Sequence, residues 1–239
     1  MLNINTDNTE LALQLFDTLN LGYDIDRKYK NKINKILNSL KDSTGYLDRQ
    51  LLLNKIIELV GEPKTPKQRF IIAKSYAYSK VAYRKEAIKY LTLYLTNPLY
   101  EDEYKYHHHD IYGKTTNLEE EKNIHIADML QYLGKAYEGE YEFEKALICY
   151  QKEKDLIYFW PHSYCNLVKI YTKMNNLEEA LKICKEAKKS IYYKNTRYKS
   201  ELLEEYFTND TFKIVINNLY KDTKEKIEKG YIYKPRKKK

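Results

Sequence analysis

Apolar residues recur every three or four positions along most of the chain, which is the spacing of amphipathic α-helices. In the N-terminal quarter this pattern predicts three helices, over about residues 8–20, 24–40 and 46–60. Gly61-Glu62-Pro63 follows the third helix and supplies the glycine and proline that end helices. This part of the chain is therefore predicted to be a small helical assembly.

The helical pattern continues after residue 63 with one interruption. A helix pair is predicted over 63–101, and it stops at Asn97-Pro98 because the residue before a proline is disfavoured in a helix. Residues 102–116 contain acids, tyrosines and histidines without helical spacing, so we predict an inserted loop there. Helix resumes behind a capping-box spacing near residue 116, and later helices are predicted over about 197–207 and 212–230.

The chain also matches itself when it is shifted by 34 residues. Residues 127–160 and 161–194 align without a gap, and the identical pairs include Leu133/Leu167, Lys135/Lys169, Tyr137/Tyr171, Glu144/Glu178, Ala146/Ala180 and Leu147/Leu181. A period of about 30 to 45 residues is typical of stacked helical units that each bury a face against the next. Such stacks usually present a surface to a partner, which favours a binding function over catalysis.

The two matched segments place small and aromatic residues at the same points of a helix pair. They read Leu130-x-x-Leu133-Gly134-x-x-Tyr137 with Ala146-x-x-x-Tyr150, and Tyr164-x-x-Leu167-Val168-x-x-Tyr171 with Ala180-x-x-x-Cys184. This pattern resembles the tetratricopeptide repeat, whose first helix carries Leu-Gly and Tyr and whose second carries Ala and an aromatic residue. A looser copy upstream reads Ile71-x-x-Lys74-Ser75-x-x-Tyr78 with Ala87-x-x-x-Leu91.

The resemblance implies an all-α fold in which helix pairs form a right-handed α-α superhelix, that is, a tetratricopeptide-like solenoid. It assigns an N-terminal helical cap to 1–62, a loose helix pair to 63–101, repeat units to 117–160 and 161–194, and C-terminal capping helices to 195–230. Val168 stands where the family has a small residue, so we expect its helix pair to be slightly splayed.

The composition agrees with long helices, because Gly (7) and Pro (5) are scarce while hydrophobic residues make up 43% and charged residues 32%. No run approaches the roughly 18–20 apolar residues that cross a bilayer. The N-terminus has no basic region followed by an apolar core, so it is not a secretory signal. We therefore expect a cytoplasmic protein without a membrane partner, whose three cysteines are reduced, buried thiols.

The positive charge is concentrated at the C-terminal end. The chain carries +8, and residues 221–239 hold nine basic and three acidic side chains, which leaves +2 for the other 220 residues. The basic tail over 231–239 has no aromatic residue after Tyr233, so it offers charge without a means of reading bases. Its expected role is solubility, with binding to nucleic acid or to an acidic membrane surface as the alternatives.

No pattern in the chain predicts catalysis. His107-His108-His109-Asp110, with His125, contains residue types that bind zinc, but adjacent histidines do not share a face of a helix or a strand. There is no Gly-x-Ser-x-Gly, no phosphate-binding glycine-rich loop and no His-Glu-x-x-His. The sequence thus predicts a protein that is not an enzyme, with no cofactor and no metal site.

A tetratricopeptide-like fold implies a binding groove, because the first helix of each pair lines the concave surface in that family. The resemblance assigns eight candidate partner-binding residues to this surface: Gln131, Tyr132, Lys135, His162, Asn166, Lys169, Lys173 and Lys199. Asn166 matches a place where the family often uses an amide to hold an extended peptide, since an amide offers a donor and an acceptor as a peptide unit does. The four lysines would attract an acidic segment.

These patterns leave three candidate functions. The first is a non-enzymatic adaptor or regulator that binds a protein or peptide segment in the groove. The second is a regulator associated with nucleic acid, of the peptide-sensing type, that combines helical repeats with the basic tail. The third is a metal-dependent enzyme centred on residues 107–110, which predicts bound zinc or manganese in the purified protein.

Overall fold

A computed structural model of the chain describes residues 3–18, 27–79, 83–96, 118–157, 160–190, 193 and 209–235. Across these residues the protein contains ten α-helices and no β-strand, and one isolated bridge joins Lys41 to Leu47. The prediction of an all-α fold is confirmed. The chain divides into two compact units, Met1–Asp110 and Ile111–Lys239.

The first unit contains five described helices: α1 (Asn3–Asp17), α2 (Lys30–Ser39), α3 (Arg49–Val60), α4 (Pro66–Tyr78) and α5 (Arg84–Thr96). Helix α1 packs on α3 and α4, and each of α3, α4 and α5 packs on its neighbour in sequence. Their apolar stripes meet in a core that includes Leu11, Leu15, Leu52, Ile56, Ile71, Leu91 and Tyr94. This burial is the main favourable term that holds the helices together.

Polar caps fix where two of these helices begin. Helix α3 starts at Arg49, later than the predicted position 46, because the Asp48 side chain accepts from the backbone N–H groups of Gln50 and Leu51. Helix α4 begins with a capping box between Thr65 and Gln68. Helix α2 begins at Lys30, whereas residues 24–26 of the predicted helix lie outside the described residues.

The second unit contains α6 (Leu118–Gly139), α7 (Phe143–Leu156), α8 (Pro161–Lys173), α9 (Leu177–Lys189) and α10 (Asn209–Glu228). Each helix from α6 to α9 packs against the next in sequence, and α10 packs against both α8 and α9. The predicted loop over 102–116 and the predicted helix over about 197–207 lie outside the described residues. No helix in the described ranges is long and apolar enough to span a membrane.

The 34-residue repeat of the sequence is also a repeat of backbone geometry. Tyr141 and Asn175 occupy equivalent places in the turns after α6 and α8, and both have positive φ, 65° and 59°. The next residue donates its N–H to the tyrosine carbonyl at the end of the first helix, Glu142 to Tyr137 at 3.0 Å and Asn176 to Tyr171 at 2.9 Å. The two helix pairs therefore turn in the same way.

The interior of each pair uses a different combination of residue sizes. Gly134 lies against Tyr150, and a Cβ added to this glycine would stand 2.5 Å from Cε1 of the tyrosine ring. The equivalent positions of the next pair hold Val168 and Cys184, both buried. Val168 is larger than Gly134, and Cys184 is smaller than Tyr150, so the two pairs of residues fill the same space in different ways.

Candidate functional site

Helices α6 and α8 carry polar side chains at helical spacing, and one buried residue of α7 lies between them. We call this set the polar face; it consists of Gln131, Tyr132, Lys135 and Glu138 on α6, Glu153 on α7, and His162, Asn166, Lys169 and Lys173 on α8. It brings together seven of the eight candidate partner-binding residues. The eighth, Lys199, lies outside the described residues.

Glu153 connects the two helices from a fully buried position, with 0% of its surface exposed. The Asn166 amide donates to its two carboxylate oxygens at 3.2 and 3.0 Å, and Gln131 Nε2 donates to Oε1 at 3.1 Å. Sequence reasoning did not single out Glu153. A signal was available, because a shift of 34 residues aligns Glu153 with the buried Ala187, so an acid stands in an apolar stripe.

Burial gives Glu153 an unusual protonation equilibrium. Desolvation raises the pKa of its carboxyl to about 7, although hydrogen bonds from Asn166 and Gln131 and the charge of Lys135 act in the opposite direction. Near neutral pH the carboxyl therefore exists in both protonation states. Because a protonated carboxyl can donate a hydrogen bond, the way in which it holds the two amides depends on pH.

Glu138 is the second buried acid of the polar face and is shared by two lysines. Its Oε1 lies 2.9 Å from Lys169 Nζ and 2.6 Å from Lys173 Nζ, and its Oε2 accepts from the Tyr150 hydroxyl at 2.9 Å. Desolvation alone would raise the pKa of Glu138, but the hydrogen bonds from Lys173 and Lys169 outweigh it and lower the pKa. The acid is thus ionised and paired.

Lys135 lies beside Gln131, Tyr132 and His162. Its Nζ donates to Gln131 Oε1 at 2.7 Å and lies 5.2 Å from the centre of the Tyr132 ring. Desolvation lowers the pKa of Lys135. Desolvation and the charge of Lys135 both lower the pKa of His162. The two residues nevertheless remain exposed to solvent. A pKa shift by desolvation at an exposed side chain means that neighbouring protein atoms exclude water from part of that side chain.

The charge of the polar face is mixed, which sequence reasoning did not anticipate. The candidate lysines Lys169 and Lys173 neutralise Glu138 instead of standing alone, and Lys135 lies near Glu153. The Asn166 side chain gives its amide hydrogens to Glu153, so its carbonyl oxygen is the atom left to accept an N–H from a ligand. The polar face therefore offers an amide acceptor flanked by lysines.

The histidines, acids and cysteines that could bind a metal or act as nucleophiles are spread over the described helices. No group of three or more His, Cys, Asp or Glu side chains there is arranged to hold a metal ion, and residues 107–110 lie outside the described ranges. The three cysteines are free, and desolvation raises the pKa of Cys149 and of Cys165 to about 11. Since the thiolate is the reactive form, these thiols are weak nucleophiles at neutral pH.

Comparison with known proteins adds no assignment. No family model matches the sequence, and no curated protein is significantly similar to it.

Proposed function

We propose that the chain is a non-enzymatic adaptor or regulator whose polar face binds an extended segment of a protein partner. The observation that carries this proposal is the network through Glu153, which holds Gln131 and Asn166 in place before any ligand arrives. Fixed polar groups bind with a smaller entropic penalty than mobile ones. In this proposal the helix pairs stack as a tetratricopeptide-like solenoid, and the polar face lines its concave groove.

Two sets of ion pairs support the stacking. Glu138 of α6 pairs with Lys169 and Lys173 of α8, so these long side chains bridge the first helices of consecutive pairs. Lys154 of α7 pairs with Glu186 of α9 at 2.6 Å, which joins the two second helices in the same way. Such bridges are expected between stacked units in which each repeat contacts its neighbour.

The chemistry of the polar face selects the kind of segment. The Asn166 carbonyl would accept a backbone N–H, Tyr132 offers a ring for an apolar side chain, and Lys135 is the cation best placed for a carboxylate. Because Lys169 and Lys173 are already paired, attraction for acidic groups is moderate. We therefore propose a partner segment with an acidic residue beside an apolar one.

Peptide selection tests this function directly. Peptides from a random displayed library would be selected on the immobilised full chain, and their affinities measured by fluorescence polarisation. Lys135→Glu with Lys169→Glu is expected to weaken the selected peptides at least tenfold by charge reversal. Lys152→Glu with Lys182→Glu, which are exposed and lie on α7 and α9, makes the same charge change off the polar face. Equal losses in both double variants would place the binding surface elsewhere.

A regulator that binds nucleic acid through its basic C-terminal residues is the alternative. It would bind DNA with a steep dependence on salt and would lose this binding on removal of residues 231–239. If the chain is an adaptor, in contrast, its peptide binding does not depend on the last four residues, Arg236 to Lys239. Lys226 and Lys229 pair with Asp222 and Glu225 one turn earlier, which reduces the charge that α10 offers to phosphates.

A further inference from the structure

The segment after α10 folds onto the turn between α8 and α9. Gly230 has φ of 59° and ends the helix, and the Tyr231 N–H donates to the Lys226 carbonyl at 2.9 Å. Glycine adopts this conformation at little cost, so Gly230 is a suitable place for the chain to change direction. Residues 231–235 then continue without helical structure and bring Tyr233 against the second unit's own surface.

Asn175 holds the backbone of Tyr233 through both ends of its amide. The Tyr233 N–H donates to Asn175 Oδ1 at 2.6 Å, and Asn175 Nδ2 lies 3.5 Å from the Tyr233 carbonyl oxygen. The side-chain amide of Asn175 thus pairs with both the backbone N–H and the backbone C=O of Tyr233, as a neighbouring β-strand would. Such a contact recognises extended backbone and leaves the side chain to be recognised separately.

The ring of Tyr233 is recognised by two side chains on other elements. The Phe143 ring meets it edge to face with centroids 6.2 Å apart, and Lys173 Nζ lies 5.6 Å from its centre. We call Phe143, Lys173 and Asn175 the Tyr233 seat. Lys173 belongs to both sets, since it also pairs with Glu138, so the Tyr233 seat shares this residue with the end of the polar face.

The turn itself does not require an amide at position 175. Asparagine is favoured at positive φ, which would by itself explain Asn175. However, the equivalent residue of the preceding pair is Tyr141, which has φ of 65° without any amide. Three backbone hydrogen bonds of its turn have counterparts in the turn at Asn175. The turn therefore does not depend on an amide, and the hydrogen bonds to Tyr233 are the contacts that the Asn175 amide makes beyond it.

We propose that the Tyr233 seat is a binding site for an extended, tyrosine-bearing peptide segment, and that residues 231–235 are its resident ligand within the chain. A peptide of the same chemistry binds there when the resident segment leaves. The proposal rests on contacts inside the second unit and does not depend on what the polar face binds. Tethering gives the resident segment an effective concentration in the millimolar range, so a free peptide competes poorly with it.

Titration with the chain's own C-terminal peptide tests the proposal. The probe is a synthetic peptide of residues 229–239, added to the isotope-labelled full chain and followed by NMR. With the Tyr233→Ala protein we expect shifts centred on Phe143, Lys173 and Asn175, and an affinity at least tenfold higher than that of the wild-type protein. A peptide with Tyr233→Ala keeps every basic residue and should cause no shifts at the seat.

Two protein variants separate the seat from the polar face. Adding Asn175→Gly to the Tyr233→Ala protein keeps the positive φ and removes the amide, so the peptide should no longer bind while the melting temperature is unchanged. Lys135→Gln alters the polar face alone and should leave peptide binding as it was. Binding that is equal in wild-type and Tyr233→Ala proteins, or that is undetectable in both, would overturn the proposal.

Amide exchange provides a second readout on the otherwise unaltered chain. The Tyr233 N–H should exchange at least tenfold more slowly in the wild-type protein than in Asn175→Gly, because its acceptor is lost in the variant. An exchange rate that Asn175→Gly does not change would show that Tyr233 does not occupy the seat in solution.

Discussion

Glu153 places an ionisable group where the next helix pair has Ala187, and a pH response follows from this difference. The pKa of its carboxyl is about 7 in the folded chain against an ordinary value of 4.5. Between these pH values the folded state binds more protons than the unfolded state, so stability falls as the pH rises and levels off above pH 7. The difference in pKa corresponds to on the order of 3 kcal/mol.

Glu153→Gln should remove this part of the pH dependence. We expect the variant to be more stable than wild type by about 1 to 3 kcal/mol at pH 8.5 and nearly equal at pH 5, because glutamine keeps an acceptor without a buried charge. Urea unfolding at several pH values measures the difference. Glu144→Gln, an exposed acid on the same helix, is the control and should follow the wild-type profile. A wild-type stability that rises between pH 5 and 7 relative to Glu153→Gln would contradict the assignment.

Gly134 allows α6 to approach the Tyr150 ring, so even one methyl group should be costly. Gly134→Ala is expected to destabilise the fold by about 1 to 3 kcal/mol, since the added Cβ would lie 2.5 Å from a ring that is fully buried and bonded to Glu138. Tyr150→Leu removes the clash, so the double variant should lose less than the sum of the single losses in urea unfolding. Additive losses would mean that the ring moves freely out of the way.

At the scale of elements, the start of α4 combines a local cap with a contact between helices. Thr65 accepts from the Gln68 N–H at 3.2 Å, and Gln68 Nε2 donates to Thr9 Oγ1 of α1 at 3.0 Å. Thr65→Ala should cost about 1 kcal/mol through the cap alone. Gln68→Ala should cost more, about 2 kcal/mol, because it also removes a buried hydrogen bond.

Denaturant unfolding of these two variants provides the measurement, with Thr65→Ser as the control that keeps the capping hydroxyl. The expected order of stability is wild type and Thr65→Ser, then Thr65→Ala, then Gln68→Ala. A Gln68→Ala protein as stable as Thr65→Ala would show that the contact with Thr9 contributes little.

Helices and turns could be predicted because their signals are local. The apolar spacing predicted the helices α3 to α9, and the gapless repeat of 34 residues agrees with the positive φ that Tyr141 and Asn175 share. Helix ends were predicted less well, since the first turn of α3 depends on which acid caps it. Asp48 does so through two hydrogen bonds that apolar spacing does not encode.

The polar contacts of the site were harder to predict because they join residues distant in sequence. The resemblance to the tetratricopeptide repeat placed Gln131, Lys135 and Asn166 on one surface, but it did not predict that Glu153 holds two of them. The Tyr233 seat was not predicted either, because residues 231–235 were interpreted as part of a solvated basic tail. Its partner Asn175 lies 58 positions earlier, and only the folded chain brings them together.

At the scale of the whole molecule, charge separates the two candidate functions. Removing Arg236 and the three terminal lysines lowers the formal charge from +8 to +4 and leaves Tyr233 in place. We expect affinity for duplex DNA of any sequence to fall at 50 mM salt, and its salt slope to become shallower by about 0.9 per lost phosphate contact. Peptides selected on the polar face should bind as before. Unchanged DNA affinity would place any contact with nucleic acid elsewhere.

The two helix pairs fill their interiors with opposite combinations of side-chain size, Gly134 with Tyr150 and Val168 with Cys184. This difference limits which helices can be combined. Genetic recombination at either turn would create hybrid pairs, with valine opposite tyrosine in one product and glycine opposite cysteine in the other. The first product is overfilled and the second contains a void, and each costs stability. A chain in which these halves are exchanged is therefore expected to be less stable than one in which each helix keeps its own partner.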